Sequence, residues 1–287
     1  MSEFGDVFKG IVLRRIESDS LNLPAMPVAA MKCTALLKNA NASGRQIAGV
    51  LETDPILVAQ VLRLANSAAY GGMARTNTIE QAVNRLGLQR LRTVLIEAAA
   101  HRLFESRDKH IADASKLVWE HSVGVALMSR DLAAMIAPSE TESCYLAGLL
   151  HDVGKPVVAA MLLEAERKVA VGRKATWIDD KEWSETVNHY HRMLGVALAE
   201  KWNLAESLTK TIRDCSEYDP ADRLSAPNIV RFSNAVAKMN GLALGSVDEE
   251  EVQPIVMIGT SMLGLDDEVV DRIAKGLQER VKAHFAG

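Results

Sequence analysis

Apolar residues recur three and four positions apart along most of the 287-residue chain, the spacing that gathers them on one face of an α-helix. Val61, Leu62, Leu64 and Ala65 form one such stripe, and Val83, Leu86, Leu91, Leu95 and Ile96 continue it. Runs of β-formers joined by Asn-Gly or Asp-Gly turns are scarce, so the pattern predicts an all-α protein. Helix starts are strongly marked. Ser43 to Gln46, Thr78 to Gln81 and Ser139 to Glu142 each read S/T-x-x-E/Q, in which the hydroxyl and the later side chain satisfy otherwise unpaired backbone N–H groups. Asp54-Pro55 offers an N-cap followed by proline at the first helical position, where the missing N–H costs nothing.

These signals predict helices over 6–18, 25–38, 45–53, 55–67, 78–86, 88–104, 112–136, 140–150, 156–171, 179–201, 204–216, 227–240, 249–262 and 266–284. Two polar breaks, 105–112 and 217–227, mark lobe boundaries; neither has the composition of a flexible linker, so the lobes are expected to pack on one another. No repeat or low-complexity stretch is visible.

Composition narrows the function more than the fold. With 48% hydrophobic and 24% charged residues the chain can bury a large core, which excludes fibrous and disordered classes. A net charge of −4, from 33 Lys+Arg and 37 Asp+Glu, gives no global attraction to nucleic acid or to an anionic membrane. The N-terminal stretch mixes acids and bases and lacks the pattern of a secretory signal, and no run reads as a membrane span. Cys33, Cys144 and Cys215 match no zinc-finger or CxxC spacing and are expected as buried free thiols of a reduced, cytoplasmic compartment. Arg85, Arg90 and Arg92 around Leu86-Gly87-Leu88 have a weak helix-turn-helix look, but a solvated arginine face accounts for them. Asp248 to Glu251 is an acidic helix start, and the eleven methionines read as core filler.

The chemistry-bearing feature is His151-Asp152, at the end of the apolar run Tyr145 to Leu150 and before Val153-Gly154-Lys155-Pro156. Imidazole nitrogen and carboxylate oxygen can share one divalent cation. His121 lies thirty residues earlier on a long amphipathic helix that a short turn folds back onto 140–150, so the three side chains can converge. An equally open reading is a buried hydrogen-bonded group tying two helices together. His189 and His191 are two apart and face different sides of their helix, so they cannot chelate together.

At these residues the chain resembles the HD superfamily of metal-dependent phosphohydrolases, whose ligands are a His, a His-Asp pair and a distant Asp. More closely it resembles the HDOD family, the HD-related output domain of bacterial signalling proteins. The resemblance covers about residues 20 to 216. It rests on Leu23-Pro24-Ala25-Met26-Pro27, Asp54-Pro55, Leu62-Arg63-Leu64-Ala65-Asn66-Ser67 with Tyr70-Gly71, Ile79 to Val83 with Leu86-Gly87, and Ala147 to Lys155. It implies an N-terminal helical lobe (1–110) packed on an HD-like helical lobe (111–240), with C-terminal helices (241–287). It also implies His121, His151 and Asp152 as metal ligands, Lys155 as a phosphate-binding lysine, and His191 as the further histidine of binuclear cyclic-dinucleotide phosphodiesterases.

The departures count against catalysis. Where those enzymes carry His-His the chain has Asp214-Cys215, no Gly-Tyr-Pro motif follows, and Asn234 stands where the terminal Asp is expected. An amide oxygen brings no charge to hold a dication or to help activate water. The expectation is therefore a non-catalytic, cytoplasmic bacterial signalling module with a degenerate metal site and no catalytic residue. It would act on unidentified signalling proteins, with no nucleic acid or membrane partner, and a divalent metal ion is its one open cofactor. The alternative is an HD-type phosphohydrolase acting on a nucleotide or cyclic dinucleotide.

Overall fold

The computed structural model describes residues 23–39, 42–66, 75–106, 108–169 and 180–286. No strand occurs among them. The first elements are α1 (Val28–Leu36), α2 (Gly44–Leu51), α3 (Pro55–Ala65) and the long α4 (Ile79–Phe104). A second group comprises α5 (Lys109–Ile136), a 3₁₀ turn (Pro138–Glu140), α6 (Thr141–Leu150), α7 (Gly154–Val169), α8 (Asp180–Lys201), α9 (Glu206–Asp214) and α10 (Ala226–Met239). The chain ends in α11 (Glu249–Leu263), α12 (Asp267–Ala274) and α13 (Leu277–Ala286). The helix expected at 6–18 and the Tyr70-Gly71 segment lie outside the described residues, as does the N-terminal stretch read for a signal sequence.

Several local expectations hold in detail. Ser43 accepts from the N–H of Gln46 while the Gln46 side chain returns to the Ser43 N–H, a complete capping box on α2. Asp54 caps α3 by accepting from the N–H groups of Ile56 and Leu57, with Pro55 at the first position. Asp248 caps the acidic start of α11. Gly87, with φ 73°, breaks α4 where two helices were expected. Two expectations fail. Ser139 caps nothing, because the 3₁₀ turn takes residues 138–140 and Thr141 bonds instead to the Pro138 carbonyl. The helix expected at 266–284 is two, since Gly276 adopts a left-handed φ of 67° between α12 and α13.

One continuous cluster of buried side chains runs from Leu23 to Val281 and joins the two helical groups. α4 is the shared element: it packs on α1, α2 and α3 on one side and on α5, α6 and α7 on the other. The expected boundary at 110/111 falls in the first turn of α5. Polar ties reinforce the join. The end of α8 holds the Leu23–Pro27 segment, with Lys201 Nζ 2.8 Å from the Leu23 carbonyl and Trp202 Nε1 3.0 Å from that of Pro24. Arg102, on α4, grips both oxygens of Asp54 at 3.1 and 2.9 Å. The Asn66 side chain bonds to both the N–H and the carbonyl of Thr76, closing the start of α4 onto the end of α3. Cys33, Cys144 and Cys215 are buried free thiols, and burial pushes Cys33 up to about 11 and Cys144 to about 12.

By length and composition Pro138–Ala165 is apolar enough to cross a membrane, with mean hydropathy 1.4, which corrects the expectation that no run is. In the fold 78% of that window is buried among other helices, and the stretch turns at His151–Val153. This buried stretch carries the His-Asp pair. Glycine permits its packing: a Cβ on Gly148 would lie 2.9 Å from Ala126 Cα and 3.0 Å from the Val125 carbonyl of α5, and one on Gly154 would fall on the His191 carbonyl of α8.

Replacing Gly148 by Ala is expected to cost about 2 kcal/mol or more by forcing α5 and α6 apart. Gly49→Ala, on an exposed face of α2 with nothing within 4 Å, should gain about 0.5–1 kcal/mol. Urea denaturation of the two variants against the native chain checks both signs.

Candidate functional site

Four helix segments meet around one carboxylate. Asp152 follows the C-terminus of α6, where the apolar face of Tyr145–Leu150 drives the chain into the core and the turn His151–Val153 leads into α7. His121 arrives from α5, Lys155 from the first turn of α7 and His191 from α8. His121, His151, Asp152 and His191 are 4%, 1%, 3% and 5% exposed, so nothing in this group is solvated by default.

Each histidine is held the same way. Nδ1 of His121 donates to the Leu242 carbonyl at 2.6 Å, Nδ1 of His151 to Gly148 at 2.7 Å, and Nδ1 of His191 to Asn188 at 2.6 Å. A carbonyl can only accept, so each Nδ1 carries the hydrogen and each Nε2 is turned toward Asp152. His151 Nε2 lies 3.4 Å and His121 Nε2 4.0 Å from Oδ2, while His191 Nε2 lies 3.3 Å from Oδ1. Among the described residues neither His121 Nε2 nor His151 Nε2 has a hydrogen-bond partner. The donor atoms of His121, His151 and Asp152 all lie within 4.8 Å of one another. Donors about 2.1 Å from one tetrahedral cation sit roughly 3.4 Å apart, so a small contraction would make a metal nest of this group. Backbone anchoring of the second ring nitrogen is the usual support of a metal-bound imidazole.

Lys155 competes for the same carboxylate, with Nζ 2.6 Å from Asp152 Oδ2. Burial alone would raise the Asp152 carboxyl, but the charges of His151 and Lys155 and the imidazoles of His151 and His191 hold it well below the usual carboxylate range. Burial, then the neighbouring charge of His151, depresses His121 to about 3, so this ring is neutral with a bare Nε2.

The structure brings His121, His151, Asp152, Lys155 and His191 together; Asn234 was a candidate in the sequence, whereas Lys238 and Arg192 were not. Asn234 and Lys238 lie one turn apart on α10, whose following loop supplies the Leu242 carbonyl to His121. The Asn234 Oδ1 is buried without a hydrogen-bond partner among the described residues. Burial depresses the Lys238 ammonium; Asp152 opposes the shift, and the charges of Lys155, Arg192 and Arg231 add to it. Arg192 also faces the buried Cys215, whose thiol burial raises, so at the Asp214-Cys215 position a sulfur and a guanidinium stand beside the centre. The i, i+4 step from Asn234 to Lys238 and the adjacency of Arg192 to His191 were the available signals. His189 is exposed and meets Tyr190 edge-to-face, ring centroids 4.6 Å apart.

The chain's sequence matches the HDOD domain over residues 23–218, well over half its length, and the protein belongs to the HDOD family. An uncharacterized protein of Treponema pallidum (strain Nichols) is 30% identical over 207 residues, 67% of this chain and 37% of that protein, so the chain spans little more than a third of its relative. Among solved structures, a Shewanella amazonensis SB2B protein provisionally described as a metal-dependent phosphohydrolase superposes with a TM-score of 0.76 at 19% identity, covering 98% of this chain and 99% of that one. An HDOD domain protein with unknown function from Geobacter sulfurreducens gives 0.65 at 24%, covering 98% and 97%. Both likenesses are of fold. A Marinobacter aquaeolei VT8 protein provisionally described as a signal transduction protein gives 0.62 at 25%, covering 93% of this chain and 59% of that one.

The neutral His121 carries a pH consequence. Its folded value near 3 lies below the ordinary 6.5, so between those values the unfolded chain binds the extra proton and stability falls as pH falls. The slope from this group is about 1.4 kcal/mol per pH unit. Denaturation midpoints from pH 7.5 to 4 should decline in the native chain and decline less steeply in His121→Gln.

Proposed function

We propose that the chain is a cytoplasmic signalling module of bacterial HDOD type, whose HD-derived centre holds a divalent cation for structure or regulation and does not hydrolyse phosphate. The observation that carries this reading is the pairing of Asp152, the one carboxylate of the cluster, with the Lys155 ammonium at 2.6 Å; the resemblance that makes Asn234 the counterpart of the terminal ligand supports it. His121, His151 and Asp152 fit a borderline metal through Nε2 and carboxylate oxygen, and His191 Nε2 stands 3.3 Å from Asp152 Oδ1 beside them. A bound cation would supply Lewis acidity. The chain itself supplies little to help it: one carboxylate, already neutralised by an ammonium, leaves no second anion to fix a dication or take a proton from water. Asp152 therefore positions imidazoles and Lys155, and the histidines lock α5, α6 and α8 around a shared centre. Signalling partners would read the packing of these helices; their identity is open to experiment.

A second reading, an HD-type phosphohydrolase, draws support from the basic side chains Lys155, Lys238 and Arg192 beside the centre, which suit a phosphate. The two readings separate in one assay. Full-length protein supplied with Mn²⁺ or Zn²⁺ is offered bis-p-nitrophenyl phosphate, nucleoside monophosphates and cyclic dinucleotides. The regulatory reading expects no turnover above the metal-only blank, and metal retention that is lost in His151→Ala. Turnover that disappears in Asp152→Asn would establish the hydrolase instead.

A further inference from the structure

We propose that the cleft where α3 and α4 meet α5, α6 and α13 is a binding site for a nucleoside monophosphate. Its volume is about 360 Å³, the size of a small-molecule site, and its lining shares no residue with the His-Asp centre.

Four helices each send one guanidinium into this cleft: Arg63 from α3, Arg90 from α4, Arg130 from α5 and Arg280 from α13. Against them the lining holds two carboxylates, both engaged. Glu97 accepts from the Tyr145 hydroxyl at 3.0 Å and pairs with His284 at 2.7 Å, and Glu142 accepts from Thr93 at 3.1 Å and faces Arg90 at 3.8 Å. Arg130 and Arg280 share a third acid, Asp131. Cations still outnumber anions, and the Arg63 guanidinium makes no hydrogen bond or ion pair among the described residues. Planar forked donors converging from several directions suit phosphate oxygens better than any other common anion.

The rest of the wall asks for a ring. Trp119 is buried 5.1 Å from His101 and Phe104 and backs the wall, while the rings of His101, 37% exposed, and Phe285, 38% exposed, are open to the cleft. Two exposed rings, His101 and Phe285, beside a cationic rim match a heteroaromatic base joined to a phosphate, whereas free phosphate would leave them uncovered.

Calorimetric titration of the full chain with AMP, GMP, CMP and UMP tests the site, with adenosine and inorganic phosphate as controls. At least one monophosphate should saturate a single site with Kd below about 1 mM, and neither adenosine nor phosphate should match it. Arg63→Ala, a surface change, should weaken that binding about tenfold or more. Asp152→Asn should leave it intact, whatever the metal centre proves to do. Absence of binding by all four nucleotides, equal binding by phosphate alone, or an Arg63→Ala protein that binds as tightly as the native chain overturns the proposal. Loss of binding in a folded Asp152→Asn protein assigns the nucleotide to the His-Asp centre and overturns it too.

Discussion

Three imidazole nitrogens turned on one buried carboxylate cannot stand without positive charge among them. With each Nδ1 hydrogen committed to a backbone carbonyl, any neutral ring presents a bare Nε2 to the Asp152 oxygens, and among the described residues the Nε2 atoms of His121 and His151 have no hydrogen-bond partner. A proton, an ammonium or a metal has to fill the gap. In this structure Lys155 neutralises Asp152 from one side, and the arrangement of nitrogens is shaped for a cation on the other. Much of the second helical group is organised to keep that balance. α5 and α6 approach closely enough to require Gly148, α7 and α8 closely enough to require Gly154, and the loop after α10 reaches back to hold His121.

This dependence explains why losing one ligand need not dismantle the site. On the proposed reading Asn234 would offer an oxygen from α10 without a charge, and Lys155 already pairs with the Asp152 carboxylate. A hydrolase must concentrate negative charge to bind a dication and accept a proton. A structural centre needs only satisfied donors, and a cation whose presence tightens three helices is a means of biasing their packing. The same α5 helix that carries His121 also carries Trp119 and Arg130 into the arginine-lined cleft, so both places bear on one rigid element.

Much of this was legible in the sequence where local physics decides the outcome. The Ser43 box, the Asp54-Pro55 start and the break at Gly87 depend on neighbours in the chain, and each forms as its residues dictate. The convergence of His121 with His151-Asp152 followed from two apolar faces joined by a short turn. What could not be read were long-range partners. Nothing in the local pattern announces that the Leu242 carbonyl orients His121, that Lys238 looks toward Asp152, or that Arg280 lines a cleft with Arg63. Ser139 failed as a cap for a related reason: the preceding Pro138 favours a tight 3₁₀ turn that consumes the capping position.

The central claim, that the Nε2 atoms of His121 and His151 form a cation-binding pair, is tested most directly by long-range ¹H–¹⁵N NMR of the imidazoles at pH 7.5, in chelated protein and after one equivalent of Zn²⁺. The account predicts a bare Nε2 on His121 in the chelated protein, and Nε2 resonances of His121 and His151 that move together on adding zinc while both Nδ1 remain protonated. A protonated His121 Nε2 in the chelated state, or zinc that leaves both rings unchanged, would contradict it.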